Sequence, residues 1–244
     1  MQVGDPGRDI ESVLLTTDVT PEVVDESIIR GCQLIISHHP LLFHGLKQIC
    51  GQTPQACIVE TAIKHDIAIY SAHTSLDSVM GGINTRLADK LGIQSYRILV
   101  PSATGDTGLG VIGTLPEPMS YAAFIEHVRA TLGCTYIRYT RPAKETVQTI
   151  ALCGGSGAEF IPDAIRQGAD VYLTADCKYH EFQDAAGAIG LIDIDHWISE
   201  RHAREIFRDI LTPLGVQCFI SEADRSPITI HNAQCTIEEI ILTK

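Results

Sequence analysis

The sequence has 244 residues, 45% of them hydrophobic and 20% charged, enough apolar mass for a sizeable core and far from the composition of a disordered chain. Thirty acidic residues against 18 basic ones give a formal charge of −12, which argues against the basic face that sequence-general nucleic-acid binding needs to displace counterions. No apolar run approaches the roughly 20 residues of a membrane-spanning helix, and Met1-Gln-Val-Gly-Asp-Pro6 lacks the basic and apolar regions of a secretory signal. A cytoplasmic chain with neither nucleic-acid nor membrane partners is therefore expected. An anionic small molecule is a compatible partner only where metal ions or clustered Lys and Arg reverse the local sign. The eight cysteines, at 32, 50, 57, 134, 153, 177, 218 and 235, form no C-x-x-C and read as reduced and mostly buried.

Taken in chain order, short apolar strands alternate with amphipathic helices. Ser12–Thr17 reads as a strand, and Thr20-Pro21-Glu22 opens a helix that stops at Gly31. Gln33–Ser37 is a second buried strand, Pro54–Lys64 a helix, Ile67–Ser71 a strand, and Gly82 to Leu91 a further helix. A Gly- and Pro-rich opening then introduces a different segment, Pro101 to Ala143. In it the strands Gly110–Leu115 and Thr135–Tyr139 flank the helix Ser120–Leu132, which ends at Gly133. Beyond it come the strand Ile150–Leu152, a helix opened by a Ser156-x-x-Glu159 capping box, and the strands Val171–Thr174 and Leu191–Ile194. A last helix runs from about Trp197. Such alternation predicts an α/β fold with a largely parallel sheet.

The sequence also repeats. Val13-Leu-Leu-Thr-Thr17, Glu22, Gly31 and Leu34-Ile-Ile-Ser37 recur 137 positions later as Ile150-Ala-Leu-Cys-Gly154, Glu159, Gly168 and Val171-Tyr-Leu-Thr174. A second block, Ala72-His73-x-x-x-Asp77, answers Asp195-His196-x-x-x-Glu200 at an offset of 123. Two blocks in the same order indicate duplication. The expected organisation is two similar α/β lobes, 1–100 and 146–244, joined by a short inserted β-α-β segment over 101–145 and intertwined into one unit.

Histidines gather at predicted strand ends: His38 and His39 after Ser37, His73 after Ser71, and His196 after Ile194. Ligands of open α/β sheets collect outside the carboxyl ends of strands. Imidazoles there, two of them followed four residues later by Asp77 and Glu200, point to a metal centre suited to Zn, Fe, Mn, Co or Ni. Adjacent His38 and His39 cannot easily face the same way from an extended chain, so they could serve two ions or one could orient the other, whereas Glu200 should lie one helical turn beyond His196 on the same side. A second polar cluster, Asp176-Cys-Lys178-Tyr-His180-Glu181, occupies the repeat position of the His38-His39 pair and reads as a substrate-contacting or proton-transferring counterpart. Gly108–Gly113 matches G-x-G-x-x-G, but Thr114-Leu-Pro follows instead of a helix, so no dinucleotide site is inferred. Gly154, Gly155, Ser156 and Gly157 form a better-placed loop whose free N–H groups could hold an anion.

With these residues collected, the chain resembles the Nif-three-like family, the dinuclear-metal proteins named as GTP cyclohydrolase I type 2 homologues. The resemblance rests on Gln2-Val-Gly-Asp-Pro6, Asp18-Val-Thr-Pro-Glu-Val-Val24, Ser37-His-His-Pro-Leu41, Ala72-His-Thr-Ser-Leu-Asp77, Gly154–Gly157, Thr174–His180 and Asp193-Ile-Asp-His-Trp-Ile-Ser-Glu200. It implies two similar lobes with a pair of divalent metal ions between them, a short middle segment, and a toroidal homohexamer. The family's ligand pattern falls on His38, His39, Asp77, His196 and Glu200, with His73 at a site-lining position. The function it implies is water activation for GTP ring opening, with Asp77 or Glu200 bridging the ions and His73 or His180 moving protons. Lys178 and the Gly154–Gly157 loop would take the triphosphate. A phosphoester or nucleotide hydrolase using the same metals is an alternative, and a metal-binding regulatory scaffold is another.

Overall fold

The computed structural model describes residues 1–231; Cys235 and the end of the expected 146–244 lobe lie outside the described residues. In chain order the elements are β1 (Ser12–Thr16), α1 (Pro21–Arg30), β2 (Leu34–Ser37), α2 (Pro54–Lys64), β3 (Ala68–Ser71), α3 (Thr74–Asp77) and α4 (Ile83–Lys90). There follow β4 (Gln94–Pro101), β5 (Gly108–Ser120), α5 (Tyr121–Leu132), β6 (Arg138–Tyr139) and β7 (Thr146–Ser156). The chain continues through α6 (Ile161–Arg166), β8 (Val171–Ala175), α7 (Tyr179–Ala185), β9 (Gly190–Ile194), α8 (His196–Glu200), α9 (Ala203–Leu211) and β10 (Gln217–Ile220).

Local chemistry sets the helix ends. Thr20 caps α1 by accepting from the Val23 amide ahead of Pro21, and Gly31 closes it at φ +67, a left-handed conformation that favours glycine. Thr53-Pro54 opens α2 in the same way. Ser120 accepts from the Ala123 amide to start α5.

The strands form two sheets. One has four parallel strands in the order β10-β1-β2-β3, and the other has six in the order β4-β5-β7-β8-β9-β6. Within the six, β7, β8 and β9 are parallel while β4, β5 and β6 join antiparallel. The duplication is visible in the pairing: Val13 lies beside Leu34 in the first sheet, and Ile150 lies beside Val171 in the second, each residue shifted by 137. The next strand corrects the second offset. Leu34 pairs with Ala68 and Val171 with Gly190, so 68 corresponds to 190, a shift of 122 rather than 123. His73 is therefore the counterpart of Asp195, and both stand at the N-cap of the following helix. His196 corresponds to Thr74.

The sheets also cross the expected boundaries. β10 comes from the end of the chain yet covers the outer edge of the fully buried β1, which would otherwise be an open edge. β4 begins at Gln94 but belongs to the six-stranded sheet. β5 is longer than expected and lies between β4 and β7, so the middle segment is built into the second sheet instead of standing apart from it. The Ser156-x-x-Glu159 capping box does not form, because Ser156 still pairs with Ala175 as part of β7 and a 3-10 turn, Ala158–Phe160, precedes α6.

Alternation along the strands divides the core. Val13 and Leu15 of β1 join Ile150, Leu152, Leu173 and Ile192 of the second sheet in one shared apolar cluster, completed by Leu87, Phe124 and Val128. Leu14 faces the other way with Val23, Ile35 and Val59, and Ala151 faces Tyr172 and Ile189. The two sheets are thus joined through a common core, which carries the carboxyl ends of β2, β3 and β9 to one place. Among the described residues no helix is long and apolar enough to cross a membrane.

Candidate metal centre

The chain bends as soon as β2 ends. The His38 and His39 amides donate to the carbonyls of Thr16 and Thr17, and the Ser37 hydroxyl donates to the His39 carbonyl. This bend departs from the extended geometry expected for the pair, and it turns both rings into one cluster, their centroids 5.0 Å apart. His73 joins them from the start of α3, 5.2 Å from the His38 ring and 5.6 Å from the His39 ring. Asp77 closes the same short helix. On α8 the side chain of Asp195 accepts from the Ile198 amide, and His196 and Glu200 then fall on one face.

Glu200 is the hub. Its carboxylate is nearly fully buried; Oε2 lies 2.6 Å from His39 Nε2 and 2.8 Å from His196 Nε2, and Oε1 lies 3.6 Å from His38 Nε2. Asp77 Oδ1 stands 3.5 Å from the same His38 nitrogen. Potential ligand atoms lie within 4.8 Å of one another in three sets: His38, Asp77 and Glu200; His39, His196 and Glu200; and His38, His39 and His73.

Two observations test whether these residues fit a cation. His38 is fully buried; its Nδ1–H donates to the Ala72 carbonyl at 3.1 Å, which leaves the Nε2 lone pair pointing inward with no hydrogen-bond partner. Such an orphaned buried acceptor is costly without a ligand. In addition, His39 Nε2 and His196 Nε2 are 3.3 Å apart. Two atoms each about 2.1 Å from one ion stand about 3.0–3.4 Å apart, so this spacing is that of neighbours on a single ion. The residues fit a metal.

Two carboxylates behind the imidazoles hold them in place. Asp18, just past β1, accepts from His39 Nδ1 at 2.8 Å, and Asp176, just past β8, accepts from His196 Nδ1 at 2.6 Å. Both fix the tautomer that presents Nε2 to a cation. Asp176 does so at φ +58, a strained conformation for a residue with a side chain. Sequence reasoning assigned neither residue this role, although each sits at a strand's carboxyl end, as the histidines do. Gly155, at φ +65, lies so close to the hub that a Cβ there would come within 2.1 Å of Glu200 Oε1.

The electrostatics follow from these contacts. Burial alone would raise Glu200, but hydrogen bonds from His196 and His39, with the His38 ring close by, hold it well below the usual carboxylate range. Burial likewise opposes charging of His39, yet bonds to Asp18 and Glu200 push it up to about 10. Glu200 and Asp176 raise His196 to about 9 against the same opposition. Burial pushes Asp77 up to about 6. His73 goes the other way, lowered by burial and by the neighbouring His38 and His39.

Above the cluster opens a cleft of about 380 Å³, whose walls include His39, His73, Asp77, His196 and Glu200 together with Phe43, Leu109, Cys153 and Phe160. Lys178 and His180 are not on its walls; both are exposed at the start of α7, where the Lys178 amide donates to Glu181 and His180 faces Gln183. Of that cluster only Asp176 reaches the centre. The expected anion loop also fails. Gly154 N–H donates to Asn84, Gly155 N–H to the Ser199 hydroxyl and Gly157 N–H to the Thr174 hydroxyl, so these amides are already used. Their work is to fasten β7 to α4, α8 and β8 around Glu200.

A family model described as Duf34/NIF3 (NGG1p interacting factor 3) matches residues 1–227. A Clostridium perfringens protein named GTP cyclohydrolase 1 type 2 homolog is 36% identical over 202 residues, 82% of this chain and 77% of that one. A Lactococcus lactis protein of the same name is 32% identical over 233 residues, 93% and 88% of the two chains. Among solved structures, a Bacillus cereus protein related to NIF3 superposes with a TM-score of 0.86 at 26% identity, covering 94% of this chain and 92% of that one. With its two-sheet α/β fold and its strand-end cluster of histidines and carboxylates, the chain belongs to the Duf34/NIF3 family.

Proposed function

We propose that the cluster is a dinuclear metal centre and that the protein is a metal-dependent hydrolase resembling GTP cyclohydrolase 1 type 2. The observation that carries this reading is the division of Glu200. One oxygen meets His39 and His196, while the other lies 3.6 Å from His38 Nε2, the nitrogen that Asp77 also approaches. Two ligand sets that share one buried carboxylate suit a bridge between two divalent ions of Zn, Fe, Mn, Co or Ni. Such a pair, when bound, supplies Lewis acidity and a water deprotonated near neutral pH.

The chain's own residues do the rest. The Ala72 carbonyl, Asp18 and Asp176 orient His38, His39 and His196 with their Nε2 atoms inward. Asn84 donates to the Asp77 carbonyl and accepts from the Gly154 amide, tying the end of α3 to β7. His73, kept neutral by burial and its histidine neighbours, stands on the cleft wall as the group able to accept a proton from a reacting substrate. The name shared by the relatives makes GTP the first substrate to test.

The test is metal-dependent turnover across a panel of nucleotides and phosphoesters, run with fully loaded protein, chelated protein and Glu200→Ala. Turnover that follows metal content supports the reading. Full loading without turnover of any member would refute the hydrolase and leave a metal-binding scaffold. The assembly we propose is a toroidal homohexamer, which light scattering showing a stable monomer at micromolar concentration would contradict.

A further inference from the structure

The walls of the cleft carry an unusual combination for a nucleotide site. Phe43 stands 70% exposed at its edge, its ring 6.0 Å from that of His73, and Phe160 presents a second ring from the 3-10 turn. A large apolar ring left in solvent beside a polar cluster is a platform for a planar ligand. Glu159, next to Phe160, also lines the cleft, is exposed, and takes no hydrogen bond or ion pair from any described residue. No Lys or Arg is found among the described lining residues. Two divalent ions set against the carboxylates of Asp18, Asp77, Glu159, Asp176 and Glu200 leave about one net negative charge. That gives the tail of a triphosphate no net attraction.

We propose that the cleft takes a planar nitrogen heterocycle in base or nucleoside form, stacked on Phe43 and Phe160 with its N–H edge on Glu159, and that it disfavours the corresponding triphosphate. This rests on the metal-centre reading and narrows its substrate class. A carboxylate accepts paired N–H groups, such as the ring N–H and amino group of a guanine edge, through charge-assisted bonds, while the same charge repels phosphates. Stacking on an aromatic side chain tolerates any base, so the rings supply affinity and Glu159 supplies selection.

Calorimetric titration of metal-loaded, full-length protein with guanosine, inosine, GTP and inorganic triphosphate tests the proposal, with metal content measured on the same samples. Guanosine should bind about tenfold or more tightly than GTP, and inorganic triphosphate should compete weakly. Phe43→Ala and Phe160→Ala should each weaken guanosine about tenfold with metal content unchanged. Inosine, which lacks the amino group, should bind severalfold more weakly than guanosine, and this difference should vanish in Glu159→Gln, which should also bind GTP more tightly than the parent does. GTP binding as tightly as guanosine, no guanosine binding at full metal content, or guanosine affinity indifferent to both phenylalanines would overturn the assignment. Protein that takes up no metal would instead refute the centre itself, a failure that the metal measurement reports separately.

Discussion

Gly155→Ala isolates the role of the close approach between β7 and Glu200. The added Cβ would stand 2.1 Å from Glu200 Oε1 and 3.0 Å from its Cδ, so the carboxylate must retreat by about 1.3 Å to reach the 3.4 Å at which ordinary contact begins. Metal–ligand bonds tolerate about 0.2 Å. Displacing a supporting residue already lowers metal affinity roughly 10–100-fold, and displacing the ligand should cost at least as much. The backbone contributes separately, because an alanine at φ +65 costs roughly 1–2 kcal/mol. In a chain of this size that lowers the melting temperature by about 2–8 °C. Gly168→Ala is the matched control: its φ is +77 with nothing within 4 Å, so it carries the strain without the clash. Both variants should melt lower, and only Gly155→Ala should release metal at lower chelator concentration. Equal metal retention by Gly155→Ala, Gly168→Ala and the parent would refute the hub geometry.

Asp18→Ala and Asp176→Ala should each weaken metal binding about 10–100-fold in chelator competition, since each removes the acceptor that fixes an imidazole. Unaltered affinity in both would show the carboxylates to be incidental. In the metal-free protein, His39 and His196 are raised to about 10 and about 9. The stability they contribute is therefore complete below the ordinary histidine value of 6.5 and is lost as pH rises through 9 to 10. Glu200, held low, has the opposite sign; its contribution is present above 4.5 and lost as pH falls. A cation must displace the histidine protons, so metal affinity should climb steadily from pH 6.5 to 9, and a flat profile would contradict these shifts. Lys178→Ala should leave both metal content and turnover unchanged, because its side chain is exposed away from the cleft walls; a clear loss of turnover would place it in the site.

Much of the fold was legible because its signals are local. Capping threonines before proline, glycine stops and alternating apolar strands mark α1, β2 and α2 without reference to anything distant. The repeat was legible for the same reason, and its 137-residue shift reappears in the pairing of β1 with β2 and β7 with β8. The second offset was misplaced by one residue because His-x-x-x-Asp and His-x-x-x-Glu look alike as strings. The equivalence is set instead by which residue caps the helix, and that is His73 against Asp195. Long-range pairings were not legible, since nothing near Gln217 announces that it will pair with Ser12. At the centre, strand-end position led to the histidines and to Asp77 and Glu200. Asp176 was legible only as part of a substrate-facing cluster and Asp18 only as part of a motif, because their role depends on long-range contacts with His196 and His39 that spacing does not show. The Gly154–Gly157 loop misled because glycine shows where backbone comes close, not which group it meets.

If Glu200 holds two cations, one on each oxygen, metal stoichiometry must follow the ligand sets. Elemental analysis of untagged protein, compared with Glu200→Ala and Asp77→Ala, reads that stoichiometry. Two ions per chain in the parent, one in Asp77→Ala, whose His39, His196 and Glu200 set stays intact, and none in Glu200→Ala is the predicted series. A single ion in the parent, or metal content in Glu200→Ala equal to the parent's, would show that Glu200 does not bridge two cations.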